Sequence, residues 1–157
     1  MPSVETQAMD RLVIMQKEAL VSINANVDAV PFFPHSQEAF PYWVNWLRRG
    51  SPSSAGEDIR MDGYSVMMRL VMGHITEDYS GELLTLAYEY IPAVVDFFAT
   101  RPFLTNATDT TPLDFIHPEG AEIVDFIGPH GFQNSGLGVT QVGVEFTLSL
   151  PIMNSVY

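Results

Sequence analysis

The sequence predicts an α+β fold in the order α-β-β-α-β-β. Four strands form an antiparallel or mixed sheet, and two helices pack on one of its faces. Three observations predict it. Thr140, Val142, Val144, Phe146, Leu148 and Leu150 alternate with Gln141, Gly143, Glu145, Thr147 and Ser149, the period of a strand with one dry face. Tyr64, Val66, Met68, Leu70 and Met72 alternate in the same way. Two further segments carry apolar residues at spacings of three and four, the period of a helix.

The first helix is expected over residues 4–29, where Ala8, Leu12, Met15, Ala19, Ile23 and Val27 make the stripe. Ser3 or Thr6 caps its start and Pro31 ends it. Pro31, Phe32, Phe33, Pro34, Phe40 and Pro41 then form an aromatic, Pro-rich connection. In the first strand, near 42–48, Tyr42, Val44 and Trp46 line one face, and Trp43 and Leu47 line the other. Gly50–Gly56 reads as a loop of Ser, Pro and Ala, followed by the charged shoulder Glu57, Asp58, Arg60 and Asp62. The second strand, 62–74, completes a hairpin with a long tip.

The second helix starts between Thr76 and Ser80 and ends near Arg101–Pro102. Leu83, Leu86, Ala87, Tyr90, Val94, Phe97 and Phe98 form its stripe, and Pro92 is expected to kink or divide it. Residues 103–114 read as polar and turn-rich. Ile123, Val124, Phe126 and Ile127 predict a short third strand, Gly128–Gly138 a loop or turn, and Thr140–Leu150 the last strand. One domain spanning 1–157 is expected, and 46% apolar composition suffices for its core.

Charge and composition narrow the function. The net charge is −12, from 19 acidic and 7 basic residues. Residues 51–157 hold 14 of the acids and only 3 of the bases. A nucleic-acid binder needs cations to displace counterions, and this chain lacks them. With no cysteine, disulfides and thiolate metal sites are excluded. No basic, apolar leader opens the sequence and no apolar run is long enough to span a bilayer, so the expectation is a soluble, cytoplasmic product without a membrane partner.

Chemistry finds little purchase. His74, Glu77 and Asp78 lie between a strand and a helix, but their spacing matches no strong metal motif and suits a solvated turn and cap. His117, Glu119, Glu122 and Asp125 specify no acid–base pair. His130 sits in the glycine-rich stretch without the lysine of a phosphate loop, and Ser51, Ser53 and Ser54 lack a nucleophile-elbow pattern. No catalytic residue, metal ligand or cofactor site is assigned, and none of these patterns predicts an enzyme.

The helix at 4–29, the Phe40–Pro41 entry into a strand, the Met61–His74 strand, the Tyr79–Arg101 helix and the terminal strand Thr140–Met153 together resemble the tail terminator proteins of long-tailed bacteriophages. The resemblance covers nearly the whole chain as an order of elements, without a signature motif. It implies a structural virion protein of the tail and neck, assembled in the host cytoplasm as a homohexameric ring. Such a ring caps the tube of major tail protein, ends its polymerisation and presents the surface that a head-completion or connector protein joins. Genomic DNA passes through the lumen, and the acidic balance suits passage without adhesion. Another neck protein of the same virion and, more remotely, a small metal-dependent enzyme are the alternatives. For the subunit or partner contacts, the candidates are Trp43 and Leu47, Met67 and Val71, and the scarce cations Arg48, Arg49 and Arg60, which are placed to pair with Glu57, Asp58 or Asp62.

Overall fold

The computed structural model describes residues 2–24, 27–29, 31, 40–56, 59–74, 80–134 and 139–155. The elements follow in the order α1 (Val4–Leu20), β1 (Asp28–Ala29), β2 (Tyr42–Gly56), β3 (Ile59–His74), α2 (Ser80–Ala99), β4 (Glu122–Asn134) and β5 (Val139–Ser155).

Among the described residues the sheet has five strands in the order β1-β2-β3-β5-β4, which corrects the expected four. The additional strand is β1, which lies parallel to β2 with Asp28 beside Tyr42 and Ala29 beside Trp43. All other neighbours are antiparallel, so the sheet is mixed. Two residues are too few to show a period of two, which is why β1 leaves no trace in the sequence pattern.

α1 begins where the Ser3 hydroxyl accepts the Thr6 amide at 3.2 Å, with Glu5 in the first turn and Lys17 in the last. It stops at Leu20, well before residue 29. The Ile23 and Asn24 amides both donate to the Leu20 carbonyl, at 2.9 and 2.7 Å, and this turn leads the chain back to the sheet. Val27, read as the last helical apolar residue, is instead buried beside β1.

The first hairpin is longer than its sequence pattern. Gly50–Gly56 is strand rather than loop: Pro52 pairs with Asp62, Ser53 with Met61 and Ser54 with Arg60, after a register shift between Arg49 and Pro52. Here β2 lies at the sheet's margin, where the missing amide hydrogen of Pro52 is tolerated. Residues 57 and 58 lie outside the described residues. In the second hairpin β4 runs through to Asn134, so most of the expected Gly128–Gly138 loop is strand; residues 135–138 lie outside the described residues. Gly128, with φ of 123°, occupies the register shift between Ile127 and His130.

α2 passes through Pro92 as one helix. Its buried residues Ala87, Tyr90, Val94 and Phe98 form a continuous stripe on both sides of the proline, and Pro92 itself is exposed. Core packing on both sides holds the helix where local propensity alone would break it. The segment 100–121 has no helix, yet Leu104, Leu113, Ile116 and Ala121 enter the core. It is tied down by Ala121 N–H to the Pro102 carbonyl at 2.7 Å, Met153 N–H to the Phe115 carbonyl at 2.7 Å and His117 N–H to the Pro151 carbonyl at 3.0 Å.

Both helices contribute to the core on one face of the sheet. Ala8, Met9, Leu12 and Met15 of α1 and the α2 stripe share that core with Trp43, Val66, Met68, Leu70, Val144, Phe146, Leu148 and Leu150. Residues of the other parity face away. There Tyr42, Val44 and Val71 form a smaller cluster with Phe40, Trp46 and Phe132.

Candidate functional site

The face turned away from the helices is built on the β2–β3–β5–β4 register. One row across it reads Val44, Arg69, Glu145 and Ile127, and the next reads Trp46, Met67, Thr147 and Asp125. Arg69 is the centre. Its Nε donates to Glu145 Oε1 at 2.6 Å, and the two side chains form an ion pair. Its guanidinium carbon lies 4.0 Å from the Phe132 ring centroid and 4.9 Å from that of Trp46. Two rings and a carboxylate thus hold the cation in a half-buried frame, the geometry in which arginine outperforms lysine. Gln141 Nε2 donates to the Tyr42 hydroxyl at 3.1 Å, and the Phe40 and Tyr42 rings lie 5.3 Å apart. Because Glu145 already neutralises Arg69, this face offers a stiff, aromatic contact surface rather than a free anion site.

Beyond this frame, β4 exposes bulky apolar groups. Val124, Phe126 and Ile127 are 56%, 45% and 57% exposed, and Met67 on β3 is 40% exposed. β4 is the last strand of the sheet order, so these groups stand along its margin; Ile127 lies on the open face with Met67, whereas Phe126, opposite Phe146, lies on the helix side.

The β2–β3 end carries a buried carboxylate. Asp62 is fully buried. Arg49 donates to its Oδ1 at 3.3 Å, and Arg60 donates from Nη2 to Oδ2 at 3.2 Å, with Arg60 Nε 3.2 Å from Oδ1. Close by, the Tyr64 hydroxyl donates to Glu5 at 2.5 Å. That bond holds the Glu5 carboxyl below its ordinary range. Burial, reinforced by the same bond, pushes the Tyr64 phenol up to about 12.

The residues singled out from sequence fall in different places. Trp43 is fully buried on the helix-covered face, and Leu47 is packed against the same core, so neither lies on the open side of the sheet. The alternation within β2 is as expected, and the open side carries Tyr42, Val44 and Trp46 instead. Met67 and Val71 do lie on the open face, Met67 exposed and Val71 buried under Tyr42 and Val44. Arg48 is exposed at the edge. Arg49 and Arg60 pair with Asp62 of their own chain. Glu57, Asp58, Glu77 and Asp78 lie outside the described residues, as does His35. His117 Nδ1 accepts the Glu119 amide at 3.1 Å in a surface turn. Among the described residues no three His, Asp or Glu side chains gather as metal ligands, and no helix is long and apolar enough to cross a membrane.

Arg69, Trp46, Phe132 and Glu145 were not singled out from sequence. A signal for one of them existed: Arg69 is the only charge within the alternating run Tyr64–Met72. Phe132 lay within a stretch read as loop, so its place beside Arg69 depended on tertiary pairing. No protein-family profile matches the chain, and no curated protein matches it.

Proposed function

We propose that this protein is an assembly subunit that works through surface contacts with copies of itself and with other structural proteins. The observation that carries the reading is the apolar margin of β4, where Val124, Phe126 and Ile127 are all about half exposed. Exposed apolar side chains gathered on a strand at the end of a sheet recruit other chains, and here they stand beside Glu122, Asp125 and Pro129 of the same strand. The firmly braced aromatic face around Arg69 supports the same reading, since a preorganised surface loses little side-chain entropy on docking.

Within that class, the resemblance drawn from the sequence favours a phage tail terminator. Six copies close into a ring at the end of the tail tube, stop addition of the major tail protein and receive the head-completion protein. The acidic surface keeps DNA moving through the lumen. In this role the chain is a virion component and performs no catalysis.

The test is to add the purified protein to tail-tube protein during polymerisation and measure tube lengths by electron microscopy. Tubes that shorten with rising dose and carry a ring at one end are expected. Tubes of unchanged length, or a ring that binds only to isolated heads, overturn the terminator reading.

A further inference from the structure

We propose that copies of this chain join head to tail by continuing the sheet, the free edge of β4 in one copy pairing with the free edge of β2 in the next. The inference rests on the self-assembly reading above and supplies its contact.

Among the described residues the topology leaves two edges open. β1 covers β2 only at Tyr42 and Trp43, and among the described residues no other strand pairs with the outer side of β2. β4 closes the opposite end of the sheet order. The strand directions fit. Each of the neighbours β2–β3, β3–β5 and β5–β4 is antiparallel, so β2 and β4 point opposite ways. Copies related by a rotation that continues the sheet therefore bring β4 against the next β2 as an antiparallel pair.

The charges fit as well. β2 carries Arg48 and Arg49 and no acidic residue, whereas β4 carries Glu122 and Asp125 and no lysine or arginine. In a chain with only seven basic residues, two of them stand on one edge. The register also aligns them: Arg48 pairs with Ser65, Ser65 with Ser149 and Ser149 with Glu122, so Arg48 and Glu122 mark the two ends of one row. Extending that row into a second copy sets Glu122 beside Arg48, with Asp125 one row on, beside Trp46. Arg49 already holds Asp62 within its chain and adds its charge to the edge from there.

The same charges oppose the symmetric alternatives. Two β4 edges would bring together two acidic strands with no lysine or arginine, and two β2 edges two basic strands with no carboxylate, so neither gains the Arg48–Glu122 pair. The contact is thus heterologous, the kind that closes a ring or propagates a filament. It also sets side chains of a neighbouring strand beside Val124, Phe126 and Ile127, the exposed apolar groups of β4.

Charge reversal tests the pairing. Arg48→Glu and Glu122→Arg are each expected to weaken self-association by at least about tenfold, read as solution mass against concentration by analytical ultracentrifugation. Mixing the two variants, or combining both changes in one chain, restores the assembly. Circular dichroism melts confirm that each variant is folded. The absence of cysteine gives a second readout. Arg48→Cys with Glu122→Cys in one chain should yield an oxidation-dependent ladder of covalent oligomers. The two positions lie three strand spacings apart, about 14 Å, too far to bridge within one subunit.

A wild-type chain that stays monomeric overturns the proposal. So do single reversals that assemble like wild type, a mixture that fails to recover, or Glu122→Cys alone forming a covalent dimer. Assembly that ignores both reversals while tubes are still capped removes this contact and leaves the terminator reading standing. Assembly that follows the reversals without capping does the opposite.

Discussion

Gln16 of α1 and Asn45 of β2 exchange two hydrogen bonds through their side-chain amides inside the core. Gln16 Nε2 donates to Asn45 Oδ1 at 2.7 Å, and Asn45 Nδ2 donates to Gln16 Oε1 at 3.0 Å. Both side chains are essentially fully buried. Asn45 lies on the helix-facing side between Trp43 and Leu47, so the pair fixes how α1 sits on the sheet. Each amide satisfies the other, and losing one partner strands a buried polar group. Asn45→Leu alone is expected to cost about 1–3 kcal/mol in urea unfolding. Gln16→Met with Asn45→Leu together should cost less than the sum of the single changes, and strict additivity would show that the two amides act independently.

Asp62 is shared by two arginines, and the sharing makes their losses non-additive. Each arginine is half exposed and keeps much of its hydration, and removing either leaves the other on the carboxylate. Arg49→Ala and Arg60→Ala should each cost little, as partly exposed pairs do. The double variant takes both arginines from a buried carboxylate and should lose distinctly more than the sum. Urea unfolding of the four proteins measures the coupling, and simple addition would mean that water replaces the arginines.

The legible parts of this fold were those with long periods. β3 and β5 each carry an uninterrupted alternation of Val, Leu, Met and Phe, and both helices carry stripes that the core then uses. What could not be read depended on partners distant in sequence. Pro52–Ser54 are strand because Arg60–Asp62 lie opposite, not because their own side chains favour it. β1 exists because the turn after Leu20 delivers two residues to Tyr42 and Trp43. Trp43 and Trp46 were correctly set on opposite faces, but periodicity does not say which face the helices cover. For the same reason the Arg69 frame stayed hidden: its four residues come from four strands, and only the register brings them together.

The Glu5–Tyr64 bond predicts opposite effects at the two ends of the pH scale. Glu5 is depressed below its ordinary 4.5, so its contribution is present above that value and lost as pH falls through the folded-state pKa. Tyr64 is raised from 10.0 to about 12, so its contribution is present below 10.0 and lost as pH climbs towards 12. Tyr64→Phe removes both. The difference in Tm between wild type and variant should be level between roughly pH 5 and 9 and should narrow on either side. Ultraviolet titration of the phenolate checks the alkaline arm, and a wild-type tyrosine spectrum with every phenol ionising near 10 would contradict it.

Arg69→Lys separates charge from shape on the open face. Lysine keeps the positive charge beside Glu145 but has no planar group to stack against Phe132 and Trp46, whose centroids lie 4.0 and 4.9 Å from the guanidinium carbon. If the frame depends on stacking, the conservative change should lose most of what Arg69→Ala loses, about 1–2 kcal/mol. If the ion pair alone matters, lysine should restore stability to near wild type. Trp46 gives a local readout, because it faces the solvent side of the sheet while Trp43 is fully enclosed. Loss of the stacked cation should increase quenching of Trp46 fluorescence by acrylamide and leave the Trp43 contribution unchanged. Phe132→Leu is the partner control: it removes the ring from the other side of the same cation. Equal quenching in all three variants would tie the rigidity of this surface to the sandwich, whereas quenching unchanged in Arg69→Lys would assign it to the Glu145 pair.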